Sequence, residues 1–391
     1  MQYQPSSSHS PSINDNNKSL ALSMSGGGAR AAYQVGLLRC IAHRFPHLNF
    51  PIITGISAGA INAAHLAAYQ GSLDDAAKEL MDAWCSLTPN QVFRLDTYSM
   101  VKHFLQWSFR LISGSQSRRS KTRGLVDTSP LRQFLHHKLG AGTGELPGIK
   151  KNLERGLLKA LAISTTNYQT GQTITWTQGC ELSNWERQNQ RSRKTEMTVE
   201  HIMASAALPM FFPAVQLKDG WYGDGGIRLY APLSPAVNLG ADKILAISTR
   251  YPQTEKEEFS KVVSGYPPPA QIVGVLLNSV FLDLLDQDAE RLKKTNEMLD
   301  LIPREKWGDR RKIDLFVLRP SIDLGRLAGN FEPNLPPLFR YFMRGQGVKE
   351  TASPDWLSMI LFDKKYITAL IRQGEKDAMS KIDELEHFFK K

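Results

Sequence analysis

Gly55-Ile56-Ser57-Ala58-Gly59 runs straight out of the apolar Phe50-Pro51-Ile52-Ile53 and into the alanine-rich stretch 60–68. That order predicts strand, sharp turn and helix, with a serine hydroxyl at the apex of the turn. The backbone is crowded at such an apex. Glycines are needed on both sides, because a side chain at Gly55 or Gly59 would collide with the neighbouring element. Ser57 then stands at a helix N-terminus, where the dipole and the free N–H groups favour negative charge developing on an attacked carbonyl. Short Gly/Ser patterns recur by chance, so these five residues alone do not assign a catalytic serine.

A second glycine cluster lies upstream. The mostly apolar run 19–24 ends in Ser25-Gly26-Gly27-Gly28-Ala29-Arg30, and beyond it Tyr33, Leu37, Leu38 and Ile41 recur at helical spacing until Pro46. Three consecutive glycines let successive N–H groups point the same way, a concave donor site for an oxyanion or a phosphate. A dinucleotide fingerprint fits Gly26, Gly28 and Ala31, but no carboxylate falls at 46–52 to hold a ribose. A Walker A loop is excluded, since no Gly-Lys-Ser/Thr follows. The third cluster, Trp221-Tyr222-Gly223-Asp224-Gly225-Gly226, follows a hairpin whose turn is Asp219-Gly220. Taken alone, an aspartate between glycines at a strand end reads more readily as another tight turn.

In this order the glycine loop 26–30, the elbow 55–59 and Asp224-Gly225-Gly226 resemble the patatin-like phospholipase family. Ala204-Ser205-Ala206-Ala207-Leu208-Pro209, Phe212-Pro213 and Tyr230-Ala231-Pro232-Leu233 resemble segments that flank the aspartate in bacterial members, so the resemblance spans about residues 20–249. Two departures are small residues for small: Ala31 where many members have glycine, and Gly226 where many have alanine. The resemblance implies a Ser-Asp dyad, with Ser57 as nucleophile, Asp224 as proton acceptor and the amides of Gly26, Gly27 and Gly28 as the oxyanion hole. It implies neither cofactor nor metal.

The nine histidines leave little room for a triad. His65 is about two helical turns beyond Ser57, too far along the axis to touch its hydroxyl; only His201 is not excluded by position. Without a histidine, the aspartate must take the serine proton itself, which requires an ionised carboxylate within hydrogen-bond reach. Arg30 has two readings, a residue that fixes the loop or meets a substrate phosphate, and a solvated helix-start arginine.

The chain has 391 residues, enough for a substantial core. Strand and helix alternate, which predicts an α/β fold with a mostly parallel central sheet in three layers, and sites at the carboxyl ends of its strands. The expected organisation is a disordered leader at 1–18, a catalytic domain at 19–250 and a helical extension at 251–391 that packs on it and can add a strand near 313–318. No run approaches the ~20 apolar residues that span a bilayer, and the leader lacks the features of a secretory signal. Three cysteines without metal-ligand spacing fit a reducing compartment. The expected location is therefore cytoplasmic.

Lys and Arg total 48 against 38 Asp and Glu, a formal charge of +10 that favours anionic partners. From residue 97 to 126 no acid occurs, while six Lys or Arg accompany Phe104, Trp107, Phe109 and other apolar residues. This is the composition of a peripheral membrane contact; a core helix followed by a basic loop reads equally well. No nucleic-acid fold motif accompanies the charge. The expectation is a serine acyl hydrolase acting on phospholipid or a related lipid ester. The alternatives are a non-catalytic membrane-binding protein using 97–126 and a nucleotide-binding protein using the Gly26 loop; a homo-oligomer is left open.

Overall fold

The computed structural model describes residues 19–94, 124, 126–142, 144–180, 182–209, 211–252, 284–331 and 355–390. The leader 1–18, all of the basic segment 97–126 except Gly124 and Val126, and the stretch 253–283 of the expected helical extension lie outside the described residues.

In chain order the elements are β1 (Leu20–Met24), α1 (Ala32–Arg44), β2 (Ile52–Ile56), α2 (Ala58–Ala68), α3 (Leu73–Ser86), α4 (Pro89–Val92), α5 (Ser129–Lys138), α6 (Pro147–Glu154), β3 (Ala160–Asn167), β4 (Thr173–Gly179), β5 (Glu186–Arg187) and β6 (Gln190–Lys194). They continue with α7 (Val199–Ser205), β7 (Val215–Leu217), β8 (Gly220–Asp224), α8 (Ser234–Asn238), β9 (Lys243–Ile247), α9 (Leu284–Asp300), β10 (Asp314–Leu318), α10 (Leu324–Gly329), α11 (Asp355–Ile360), α12 (Lys364–Ser380) and α13 (Ile382–Lys390).

The sheet order is β10-β9-β1-β2-β3-β4-β6-β5, and the β7–β8 hairpin joins it through β3. The five strands from β10 to β3 are mutually parallel. β4 turns back antiparallel on β3. Both faces are covered, and period-two alternation sends successive side chains to opposite faces. Leu22, Met24, Leu161, Ile163, Leu245 and Ile247 face the larger core, which α1, α2, α3 and α12 complete. Ala21, Ala160, Ala162 and Ala246 face a smaller core under α8 and α9. The fold is therefore the three-layer α/β architecture that the alternating pattern predicts.

The C-terminal residues are built into this body. β10 extends the parallel sheet, pairing Leu315 with Ile244 and Val317 with Ala246. α12 crosses α1 where two glycines meet: a Cβ at Gly36 would strike the Ile371 carbonyl, and one at Gly374 the Tyr33 carbonyl. Backbone approaches this close tolerate no side chain. Beside the crossing, the Tyr33 hydroxyl donates to Asp377 Oδ2 at 3.0 Å, and Asp377 also accepts from the Ser321 amide and hydroxyl.

Candidate active site

Strand β3 is the ruler of the site. Along one edge it pairs with β2 in parallel, from Ile52 opposite Ala160 to Ile56 opposite Ser164. The same edge then pairs with β8 in the opposite sense, with Thr165 facing Asp224 and Thr166 facing Gly223. β4 occupies the other edge over this whole length. The carboxyl ends of β2 and β8 therefore meet head to head in one slot of the sheet. Ser57 follows β2, Asp224 ends β8, and consecutive residues of β3 hold the two approaches. Thr166 fixes the junction by donating its hydroxyl to the Asp224 carbonyl at 2.8 Å.

Ser57 is the N-terminal cap residue of α2, with φ 56° and ψ −131°, a conformation costly for a non-glycine residue. Two contacts hold it. Its amide donates to the Ser205 hydroxyl at 2.9 Å, and that hydroxyl donates to the Ser164 carbonyl at 2.7 Å. The flanking glycines are required by space: a Cβ at Gly55 would stand 2.6 Å from the Gly59 carbonyl oxygen, and one at Gly59 would strike the Ser25 carbonyl. Among the described residues no side chain caps α2, and its Ala60 amide turns back to the Ser57 carbonyl at 2.9 Å.

Asp224 is fully buried. Its Oδ1 accepts from the Gly226 amide at 2.8 Å, while among the described residues Oδ2 has no hydrogen-bond partner. Burial pushes its pKa up to about 7, with the Ser57 hydroxyl and the Gly226 amide offsetting part of the penalty. Gly225 is tied to the same place, since a Cβ there would strike the Ser164 carbonyl.

The glycine loop faces Ser57 from β1. A Cβ at Gly26 would lie 2.9 Å from the Ser57 Cβ and 3.5 Å from its Oγ. Gly27 (φ 142°) and Gly28 (φ 56°) take backbone conformations that favour glycine. Among the described residues the Gly26 and Gly27 amides have no backbone partner. The loop itself is firmly held. Thr249, just past β9, donates to the Gly26 carbonyl at 2.7 Å, and Gln34 Nε2 donates to the Ser25 carbonyl at 2.7 Å. Asn62 Nδ2 donates to Gln34 Oε1, and its Oδ1 accepts from the Trp84 indole, so a buried polar chain ties the loop to α2 and α3. Arg30 is buried, and its Nε donates to Ser358 Oγ at 2.5 Å.

An apolar cavity opens beside Ser57, Gly27 and Gly28 and continues between α2, α3 and α5 past Leu80 and Leu135. Ser57, Ile61 and His65 line it at four-residue spacing along one face of α2, a run of about 12 Å. Among the described lining residues other than Ser57, only His65, Trp84 and Lys138 carry a side-chain nitrogen or oxygen. Such a slot suits an aliphatic chain with its polar end at Ser57.

His201 stands elsewhere in role. Its Nδ1 pairs with the Thr198 hydroxyl in a capping box at the start of α7, its ring packs edge-on against Trp176 at 4.8 Å, and burial lowers its pKa to about 4. Sequence reasoning missed Ser205, Thr249, Asn62 and Ser358. Asn62 carries a signal in retrospect, being a polar side chain inside an otherwise alanine-rich apolar helix, which demands a buried partner.

The family model for patatin-like phospholipases matches residues 22–237, more than half of the chain and all three glycine motifs. The chain belongs to the patatin-like phospholipase family. A search of curated proteins finds no match. Among solved structures, human GIVD cytosolic phospholipase A2 is similar at 12% identity and a TM-score of 0.45, covering 96% of this chain and 63% of that one. VipD from Legionella pneumophila is similar at 11% and 0.34, covering 90% and 67%. ExoU from Pseudomonas aeruginosa, in complex with SpcU, is similar at 15% and 0.27, covering 87% and 76%. The chain spans about six-tenths of the human protein's length. Family membership rests on the sequence match over 22–237. Among the described residues no helix is long and apolar enough to cross a membrane.

Proposed function

We propose that the protein is a serine esterase of the phospholipase A or lysophospholipase type, cleaving fatty-acyl esters of phospholipids or related lipids through a Ser57–Asp224 dyad. Ser57 Oγ attacks the ester carbonyl as its proton passes to Asp224. The amides of Gly26, Gly27 and Gly28 hold the oxyanion. Collapse of the tetrahedral species breaks the ester C–O bond, and Asp224 returns the proton to the leaving alcohol. Water, giving its proton to Asp224, then attacks the acyl-Ser57 ester and releases the fatty acid as Ser57 recovers its proton. Arg30 fixes the loop, a role supported by its bond to Ser358.

The observation that carries this reading is the register of β3, along which the serine and aspartate approaches fall at consecutive positions, 164 and 165. The apolar cavity beginning at Ser57 supports an acyl chain as the bound part of the substrate. A cytoplasmic enzyme touching a membrane surface fits the net charge and the basic aromatic composition of 97–126. The test is fatty-acid release from mixed phospholipid vesicles by wild type and Ser57→Ala, with fluorophosphonate labelling mapped to Ser57. Unchanged release by Ser57→Ala overturns the dyad. Vesicle binding with neither turnover nor labelling assigns the chain to non-catalytic membrane binding.

A further inference from the structure

The family match ends at residue 237, yet the cavity is completed by residues beyond it. Met359, Ile360 and Phe362, at the junction of α11 and α12, line the same space as Ser57. The Met359 carbonyl lies so close to Gly28 that a Cβ there would strike it. Phe362 packs edge-on against Phe93 at 6.2 Å, and Phe93 packs at 6.1 Å against Phe212, which also lines the cavity. Phe362 is thus the C-terminal member of an aromatic wall drawn from three separated parts of the chain.

This wall is rigid. Asp363 caps α12 immediately after Phe362, accepting from the Lys365 and Tyr366 amides. The Tyr366 hydroxyl donates to the Leu324 carbonyl, and the glycine crossing with α1 lies two turns further on. A wall fastened this way excludes by shape, because a packed interior does not yield to an extra methylene without strain.

Resting on the acyl-hydrolase reading above, we propose that residues 358–362 are the specificity element of this chain: Met359 and Phe362 limit the length of acyl chain that the cavity accepts, and Ser358 fastens the same segment to the glycine loop through Arg30. The motifs inside the family span supply the reacting groups, and this segment selects among substrates.

The experiment measures kcat/KM on p-nitrophenyl esters from butyrate to palmitate for wild type, Phe362→Ala, Phe362→Leu and Met359→Ala, each checked by thermal melting. Each additional methylene buried is worth about fourfold. Truncating Phe362 to alanine makes room for at least two, so the palmitate-to-butyrate ratio rises by more than about tenfold, with Phe362→Leu in between. In parallel, binding of C4 to C16 fatty acids is read by thermal shift in Ser57→Ala and in Ser57→Ala with Phe362→Leu, which reports on the cavity without turnover. A folded Phe362 variant with an unchanged ester profile, or an unchanged binding profile in the double variant, overturns the proposal. If no ester is turned over but the binding profile moves with Phe362, the hydrolase reading fails and the wall stands.

Discussion

Replacing Asp224 by asparagine should move stability and activity in opposite directions. The carboxyl is fully buried, with one oxygen on the Gly226 amide and the other vacant, and its pKa rises from 3.8 to about 7. At about 1.4 kcal/mol per pH unit, holding the charged form in that place costs the fold about 4 kcal/mol. Between pH 3.8 and 7 the folded protein binds the proton that the unfolded chain has already released. Stability therefore falls as pH rises through this window and levels off above it. Asparagine keeps the acceptor for Gly226 and carries no charge. The variant should match wild type near pH 4, lack this slope, and exceed wild type by up to about 4 kcal/mol at pH 8. Urea unfolding across the pH series reads this directly. Over the same range wild-type kcat/KM should fall tenfold per pH unit below about 6 and reach a plateau near 8, because only the ionised carboxyl accepts the Ser57 proton. Asp224→Asn should lose this limb along with about 10²–10⁴-fold of activity. A variant no more stable than wild type at pH 8, or one that hydrolyses esters at wild-type rates, refutes the reasoning.

Gly26→Ala meets no backbone strain but sets a methyl 2.9 Å from the Ser57 Cβ; kcat should drop on the order of 10²-fold with a melting curve close to wild type, measured by ester turnover and circular dichroism. Ser205→Ala leaves the buried Ser57 amide without its acceptor, costing about 1–3 kcal/mol in urea unfolding and lowering kcat more than it raises KM. Gly374→Val drives a side chain into the Tyr33 carbonyl at the α1–α12 crossing; the midpoint of denaturation should fall by an amount typical of overpacking, about 1–3 kcal/mol or more.

The elements with strong local signals were legible in the sequence. Ser72, just ahead of Leu73 with Asp74 and Asp75 in the first turn, has the sequence pattern of a helix cap, and it accepts from the Asp75 amide at 3.1 Å at the start of α3. The α/β class followed from alternation alone. The strand ends were not legible, and they matter most. The apolar run places the end of β3 near Ser164, whereas the strand continues through Thr165, Thr166 and Asn167. These residues look like loop because they are polar, yet all three are buried. The Thr165 hydroxyl receives the Trp176 indole, and Thr166 holds the Asp224 carbonyl. Hydropathy cannot register a polar strand end whose partners arrive from elsewhere in the chain.

The same limit explains why the C-terminal region was silent. Nothing local marks Ser358 or Phe362, since a serine and a phenylalanine in a mixed stretch fit almost any setting. Their meaning comes from Gly36 and Gly374, two glycines far apart in sequence that bring α12 onto α1 and carry α11 to the edge of the glycine loop. Glycines at a helix crossing lower helix propensity at both positions, a cost of about 1 kcal/mol each, so they persist where close approach returns more than that. Here the approach gives a common wall to two parts of the molecule with different burdens. The motif-bearing half must keep its serine, aspartate and amides in fixed relation for the chemistry to run at all. The C-terminal segment meets the glycine loop through the Met359 carbonyl and the Ser358 hydroxyl, while the Met359 and Phe362 side chains line the cavity and can vary in size with those contacts kept. Substrate choice can then diverge at Met359 and Phe362 while the β3 register, on which the chemistry depends, stays as it is.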